Sequence, residues 1–200
     1  MKRMLLTIFI AIISVPALAQ SHSGNGNSGQ SAYAGQQARA IKSLSPGDIK
    51  ELKRGGGWGL AKAAELNGVP GPVHLLELKD KVGLTSGQVT RLESLFGEMQ
   101  TKAIEAGARL IEAEARLEAA FRARTIDDAA LRKLLEEIEG IRSHLRFIHL
   151  SAHLATPAVL SEDQIDRYNS LRGYGRDDPC GTVPEGHDPV MWRKHNGCEH

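Results

Sequence analysis

Leu84–Arg124 reads LTSGQVTRLESLFGEMQTKAIEAGARLIEAEARLEAAFRAR, the strongest structural signal in the chain. Thr85, with Gln88 three residues on, forms a capping box, in which each side chain satisfies a backbone N–H at a helix start. From there Val89, Leu92, Phe96, Met99, Ala103, Ala106, Leu110, Ala113, Leu117 and Ala120 recur at alternating steps of three and four. That is the seam of a helix packed lengthwise on a partner. Alanine in its middle lets the partner approach closely. No proline interrupts Thr85–Arg124, so one helix of roughly 60 Å is predicted.

The partner follows at once. Thr125-Ile126-Asp127-Asp128 breaks the helix and caps the next, with two carboxylates at its positive end. Leu131, Leu134, Ile138, Ile141, Leu145, Ile148 and Ala152 repeat the three-and-four spacing, an arm of matching length to Ala155. A short break between two seams of one type predicts an antiparallel hairpin. Pro157 ends or kinks the second arm, and Leu160-Ser161-Glu162-Asp163-Gln164 repeats the capping box before a last helix to about Arg172. The fold class is therefore all-α: a long antiparallel helical hairpin with shorter flanking helices and an irregular, cysteine-containing tail.

Upstream, residues 32–71 read as short helices. Tyr33–Leu44 is weakly helical, Ser45-Pro46-Gly47-Asp48 starts a helix to about Arg54, and Gly55-Gly56-Gly57 stops it. No Gly-Lys-Ser/Thr follows these glycines, so they are read as a joint and not as a phosphate loop. Trp58–Leu66 is predicted as a second helix, and Pro70-Gly71-Pro72 starts a third that carries His74 and Glu77.

Residues 1–19 carry Lys2 and Arg3, an apolar run of about 12 residues and Ala17-Leu18-Ala19, the order of a cleaved signal peptide. A membrane span would need roughly 20 apolar residues. Residues 20–31 hold nothing to bury and read as a disordered leader. With Lys2 and Arg3 removed, the 25 basic residues fall to 23 against 24 acidic ones. Near-neutrality argues against a nucleic-acid or acidic-membrane partner. Periplasmic localisation is expected, with no stable membrane span.

The tail, residues 173–200, is turn-rich and holds the only two cysteines, Cys180 and Cys198. In an oxidising compartment a disulfide between them is favoured over free thiols or a tail metal site with His187, His195 and His200, and would constrain the loop by roughly 3 kcal/mol. Met191 and Trp192 are read as packing this loop onto the helices. Glutamates such as Glu112, Glu136 and Glu139 alternate with Arg and Lys, as on a solvated face. With no nucleophile elbow, zinc-protease motif or nucleotide loop, no catalytic residue is assigned and an enzyme is not expected.

The two boxes, Leu84-Thr85-x-x-Gln88 and Leu160-Ser161-x-x-Gln164, resemble the paired Leu-Thr-x-x-Gln motifs of the Spy/CpxP family of periplasmic stress proteins, over about residues 70–172. Serine in the second motif keeps the capping hydroxyl. The resemblance implies a dimeric helical cradle that holds unfolded client proteins without ATP, or that senses metal for an envelope-stress system. Residues 32–71 and the tail lie outside the minimal family pattern.

His149 and His153, four apart, share one helical face, the spacing that lets two imidazoles reach one ion. Metal-responsive relatives place a His-x-x-x-Met pair here and add ligands from an earlier helix. By that resemblance His74 and Glu77 are the natural partners, and zinc, copper or nickel the candidate ions, with no cofactor required. Both pairs also read as ordinary polar residues beside the seam and at a helix start. A homodimer is expected because Leu95, Ile104, Ile111 and Leu135 lie off the seam and need another surface.

Overall fold

Thr85 Oγ1 accepts the Gln88 N–H at 3.3 Å, while Gln88 Oε1 accepts the Thr85 N–H at 2.9 Å. The helix that this box starts, α5, runs Ser86–Ala123. The structure, a computed structural model, describes residues 31–174, 180–181, 183 and 186–198. The expected signal peptide and nearly all of the leader lie outside the described residues. Met1–Gly35 and Gln36–His200 are two compact units, of which the described part of the first is the turn at Ser31–Gly35. The second holds the described helices.

Its described elements are all helical: α1 Pro46–Lys53, α2 Lys62–Glu65, α3 Pro72–Glu77, α4 Lys79–Val82, α5, α6 Asp128–Ala155, α7 Glu162–Leu171 and α8 Pro189–His195, with 3₁₀ turns at Gln36–Ala38 and Pro157–Val159. Asp127 caps α6 by accepting the Ala130 N–H at 2.8 Å. Arg124 takes the left-handed conformation that ends α5. The hairpin is as predicted, and every seam residue is buried or half-buried. No described helix is long and apolar enough to cross a membrane.

The arms are not matched in length: α5 has 38 residues and α6 has 28. Pro157 has no N–H to continue α6, and the chain turns back through the 3₁₀ turn into α7. The unpaired beginning of α5 is covered instead by α3, α4 and α7, through a small core of Leu75, Val82, Leu92 and Tyr168.

The N-terminal segment belongs to the main core. Ile41, Leu44 and Leu52 are buried with the seam residues Met99, Ala103, Ala106, Leu110, Ile141 and Leu145. Gly107 permits this, since a Cβ there would collide with the Leu52 carbonyl. Two predicted helices shrink. Tyr33–Leu44 is turns around Gln36–Ala38, and Trp58–Leu66 is helical only over Lys62–Glu65. Trp58 and Gly59 both have positive φ, which no helix accommodates. Trp58 is held there by Asp48, which accepts its indole N–H at 2.8 Å, and by Arg142, stacked 5.2 Å from the ring.

The tail also departs from the expectation of irregularity. Cys180 and Cys198 form the disulfide, and α8 lies inside the loop it closes, capped by Asp188 on the Met191 N–H. Trp192 stacks edge-on against His187 at 4.8 Å. Met191 is 51% exposed, which corrects its reading as a packing residue.

Candidate functional site

The two sequence motifs meet each other. Gln88 Nε2 donates to Gln164 Oε1 at 2.7 Å and to the Val159 carbonyl at 2.9 Å. In return Gln164 Nε2 donates to Gln88 Oε1 at 3.1 Å and to the Gly83 carbonyl at 3.0 Å. Each amide oxygen also accepts the N–H of its own cap residue, Thr85 or Ser161. Leu84 and Leu160 pack against the small core below. The motifs therefore make a clasp whose hydrogen-bonding groups are used up internally. It ties the start of α5 to the start of α7.

A separate cavity of about 450 Å³ is walled by the Gly55–Gly59 loop, α2, α3 and the facing surfaces of α5 and α6. His74, Glu77, His149 and His153 all line it, so the tertiary fold brings the four predicted residues to one space. Glu65, Met99 and Trp58 line it too.

His149 is 5% exposed, and its Nε2 is buried with no hydrogen-bond partner. Burial, helped by the neighbouring His153, pushes its pKa down to about 4. The ring is therefore neutral at ordinary pH. A buried nitrogen left unbonded costs about 1–3 kcal/mol and calls for an explanation.

His153 is also buried, with Nδ1 2.9 Å from the Val69 carbonyl oxygen. A carbonyl only accepts, so Nδ1 carries the proton and Nε2 keeps its lone pair. Nε2 rests against Gly71, where a Cβ would lie 2.5 Å from it. A backbone carbonyl that fixes the tautomer of an imidazole is the usual support of a metal-binding histidine.

His74 and Glu77 stand at the outer wall. His74 Nδ1 is 2.9 Å from Glu77 Oε2, and its Nε2 is 3.9 Å from Glu65 Oε2. Glu65 Oε1 in turn accepts from Arg172 Nη2 at 2.8 Å, Tyr174 OH at 3.1 Å and Tyr168 OH at 3.2 Å. Burial alone would raise this carboxyl, but His74 and Arg172, with the hydrogen bonds from Arg172 and Tyr174, hold it below its ordinary value.

The four predicted residues thus share a cavity without converging on one point. Among the described residues no three of His, Cys, Asp and Glu are gathered as a ready metal cluster. His144, on the same helix as His149 and His153, is exposed.

Sequence reading missed Glu65, whose three donors come from the far end of the chain, and Val69, which acts through its backbone. Met99 was visible only as a seam residue. Gly71 was visible as part of a turn, with nothing to connect it to a ring on α6.

Residues 67–167 match a protein family described as heavy-metal resistance. The matched segment holds His74, Glu77, Met99, His149, His153 and both motifs, and it covers half of the chain. This family is related to Spy/CpxP, and the match is to it and not to Spy/CpxP itself. No curated protein and no solved structure gives a significant match.

Proposed function

We propose, from the premise that the chain belongs to the heavy-metal-resistance family, that it is an exported helical protein which binds a heavy-metal ion as cargo or signal in the cavity between α3 and the hairpin. His149 and His153 are the inner ligands and His74 the outer one, with Glu77 its partner. The observation that carries this reading is the buried, unpartnered Nε2 of His149 on the cavity wall. A neutral imidazole with an unused lone pair is what a metal ion requires of a ligand, and it has no other partner here. The residues present fit the cargo on that ground.

The test is calorimetric titration of the purified, chelator-treated protein with zinc, nickel and copper. Micromolar or tighter binding is expected, with a loss of about tenfold or more in His149→Ala. Absence of binding, or affinity unchanged in both His149→Ala and His153→Ala, would sink the reading.

ATP-independent binding of unfolded clients is the second reading. Phe147 is 66% exposed and Leu154 76% exposed on α6, apolar side chains that an extended chain could use. Suppression of aggregation of a denatured client, at stoichiometric amounts and without ATP, tests it. An unchanged aggregation rate removes it. An envelope-stress sensor is the partner proposed for the metal reading.

A further inference from the structure

The ion class of the proposed site turns on a residue outside the matched family segment. Glu65 precedes that segment, and the three side chains that donate to it, those of Tyr168, Arg172 and Tyr174, follow it. All three bonds go to Oε1. Oε2 has no hydrogen bond among the described residues, and it lies 3.9 Å from His74 Nε2 on the wall of the same cavity. Ligating carboxylates are themselves oriented by hydrogen bonds, and a carboxylate fixed through one oxygen presents the other.

His74 is fixed from its far side. Its Nδ1 is 2.9 Å from Glu77 Oε2, which only accepts, so the neutral imidazole carries its proton on Nδ1 and keeps the Nε2 lone pair. Nε2 and Glu65 Oε2 are then two acceptors, too far apart for a hydrogen bond. Two ligand atoms at about 2.0–2.2 Å from one zinc ion stand about 3.4 Å apart at the tetrahedral angle and about 4.2 Å apart at most. The observed separation lies within the span of one ion.

The donor types narrow the ion. Magnesium and calcium take oxygen ligands, copper(I) selects sulfur, and imidazole together with carboxylate suits the borderline divalent ions. Arg172 offsets part of the Glu65 charge, and Glu77 adds a second negative group behind His74.

We infer that Glu65 Oε2 is a metal ligand paired with His74 Nε2, that Glu77 positions His74 without touching the ion, and that the cargo is a borderline divalent ion such as zinc or nickel. The inference rests on the metal-binding reading above and names a further ligand and the ion class of that same site. His149 and His153 keep the inner role given them there.

The experiment is calorimetric titration of the chelator-treated full chain, in chloride-free buffer, with zinc(II), nickel(II) and silver(I) as a soft monovalent probe. Zinc and nickel are expected to bind at least about tenfold more tightly than silver. Glu65→Gln, which keeps an acceptor for Arg172 and the tyrosines but loses the charge, is expected to lower zinc affinity by about tenfold or more. Glu77→Gln, whose amide oxygen still accepts from His74 Nδ1, should cost clearly less.

Ring nitrogen resonances of the zinc-loaded wild type need no variant, and His74 is expected to show a metal-bound Nε2 with the proton on Nδ1. An unchanged His74 ring, a loss in Glu65→Gln no larger than in Glu77→Gln, or tighter binding of silver would overturn the inference and leave the metal reading standing. No binding of any ion would overturn both.

Discussion

Burial, helped by the neighbouring His153, lowers the pKa of the His149 ring from 6.5 to about 4. Below pH 6.5 the unfolded chain takes up a proton that the folded chain refuses, so stability present above that value is lost as pH falls toward 4. About 2 kcal/mol of the loss should be in place by pH 5. Glu65 acts in the same direction, but only below its ordinary value of 4.5, because its folded pKa is depressed. Urea unfolding with chelator present should therefore show a clear fall in stability from pH 7 to pH 5, largely abolished in His149→Gln. A flat profile in the wild type would mean that the ring is not held in this burial.

At the scale of elements, the clasp of Gln88 and Gln164 is the most testable feature. Gln164→Ala removes an acceptor for the Ser161 N–H, a donor to the Gly83 carbonyl and one half of the amide pair. A loss of about 2–3 kcal/mol is expected, with faster hydrogen exchange at the starts of both α5 and α7. Because the two glutamines share their bonds, the double variant Gln88→Ala/Gln164→Ala should lose less than the sum of the singles, and strict additivity would refute the pairing.

Gly107 makes a second joint. Gly107→Ala would drive a methyl into the Leu52 carbonyl and lift α1 away from α5. Limited proteolysis should then cut within residues 54–61 much faster than in the wild type, while the far end of the hairpin stays protected.

For the whole molecule, the disulfide and the outer surface make separate predictions. The described core residues lie outside the Cys180–Cys198 loop, so reduction should cost at most the α8 contribution to the helical signal. A large loss on reduction would show that the tail supports the hairpin.

Ile104, Leu135, Phe147 and Leu154 remain exposed on the hairpin arms, whereas Leu95 and Ile111 are partly buried by packing within the chain. Four exposed apolar side chains still favour a homodimer. Sedimentation at micromolar concentration should give about twice the mass of one chain, and a single-chain mass would refute the pairing.

The helices and their pairing were legible in the chain alone. Heptad spacing, the capping boxes at Thr85 and Ser161, and the break at Asp127 are local signals, readable because a helix repeats its own geometry along the chain. Much less was legible in Trp58–Leu66, where positive φ at Trp58 and Gly59 is set by the distant partner Arg142 as well as by Asp48. Three relations arise from packing alone: the two motifs clasp each other, the Val69 carbonyl fixes the His153 tautomer, and Glu65 Oε1 accepts from Arg172 and two tyrosines. Packing alone also sets Met99 on the wall of the cavity that His149 and His153 line. Those relations join residues far apart in the chain, and no periodicity encodes them. They depend on how far each arm extends before Pro157 turns the chain back, and that length sets which side chains share a level.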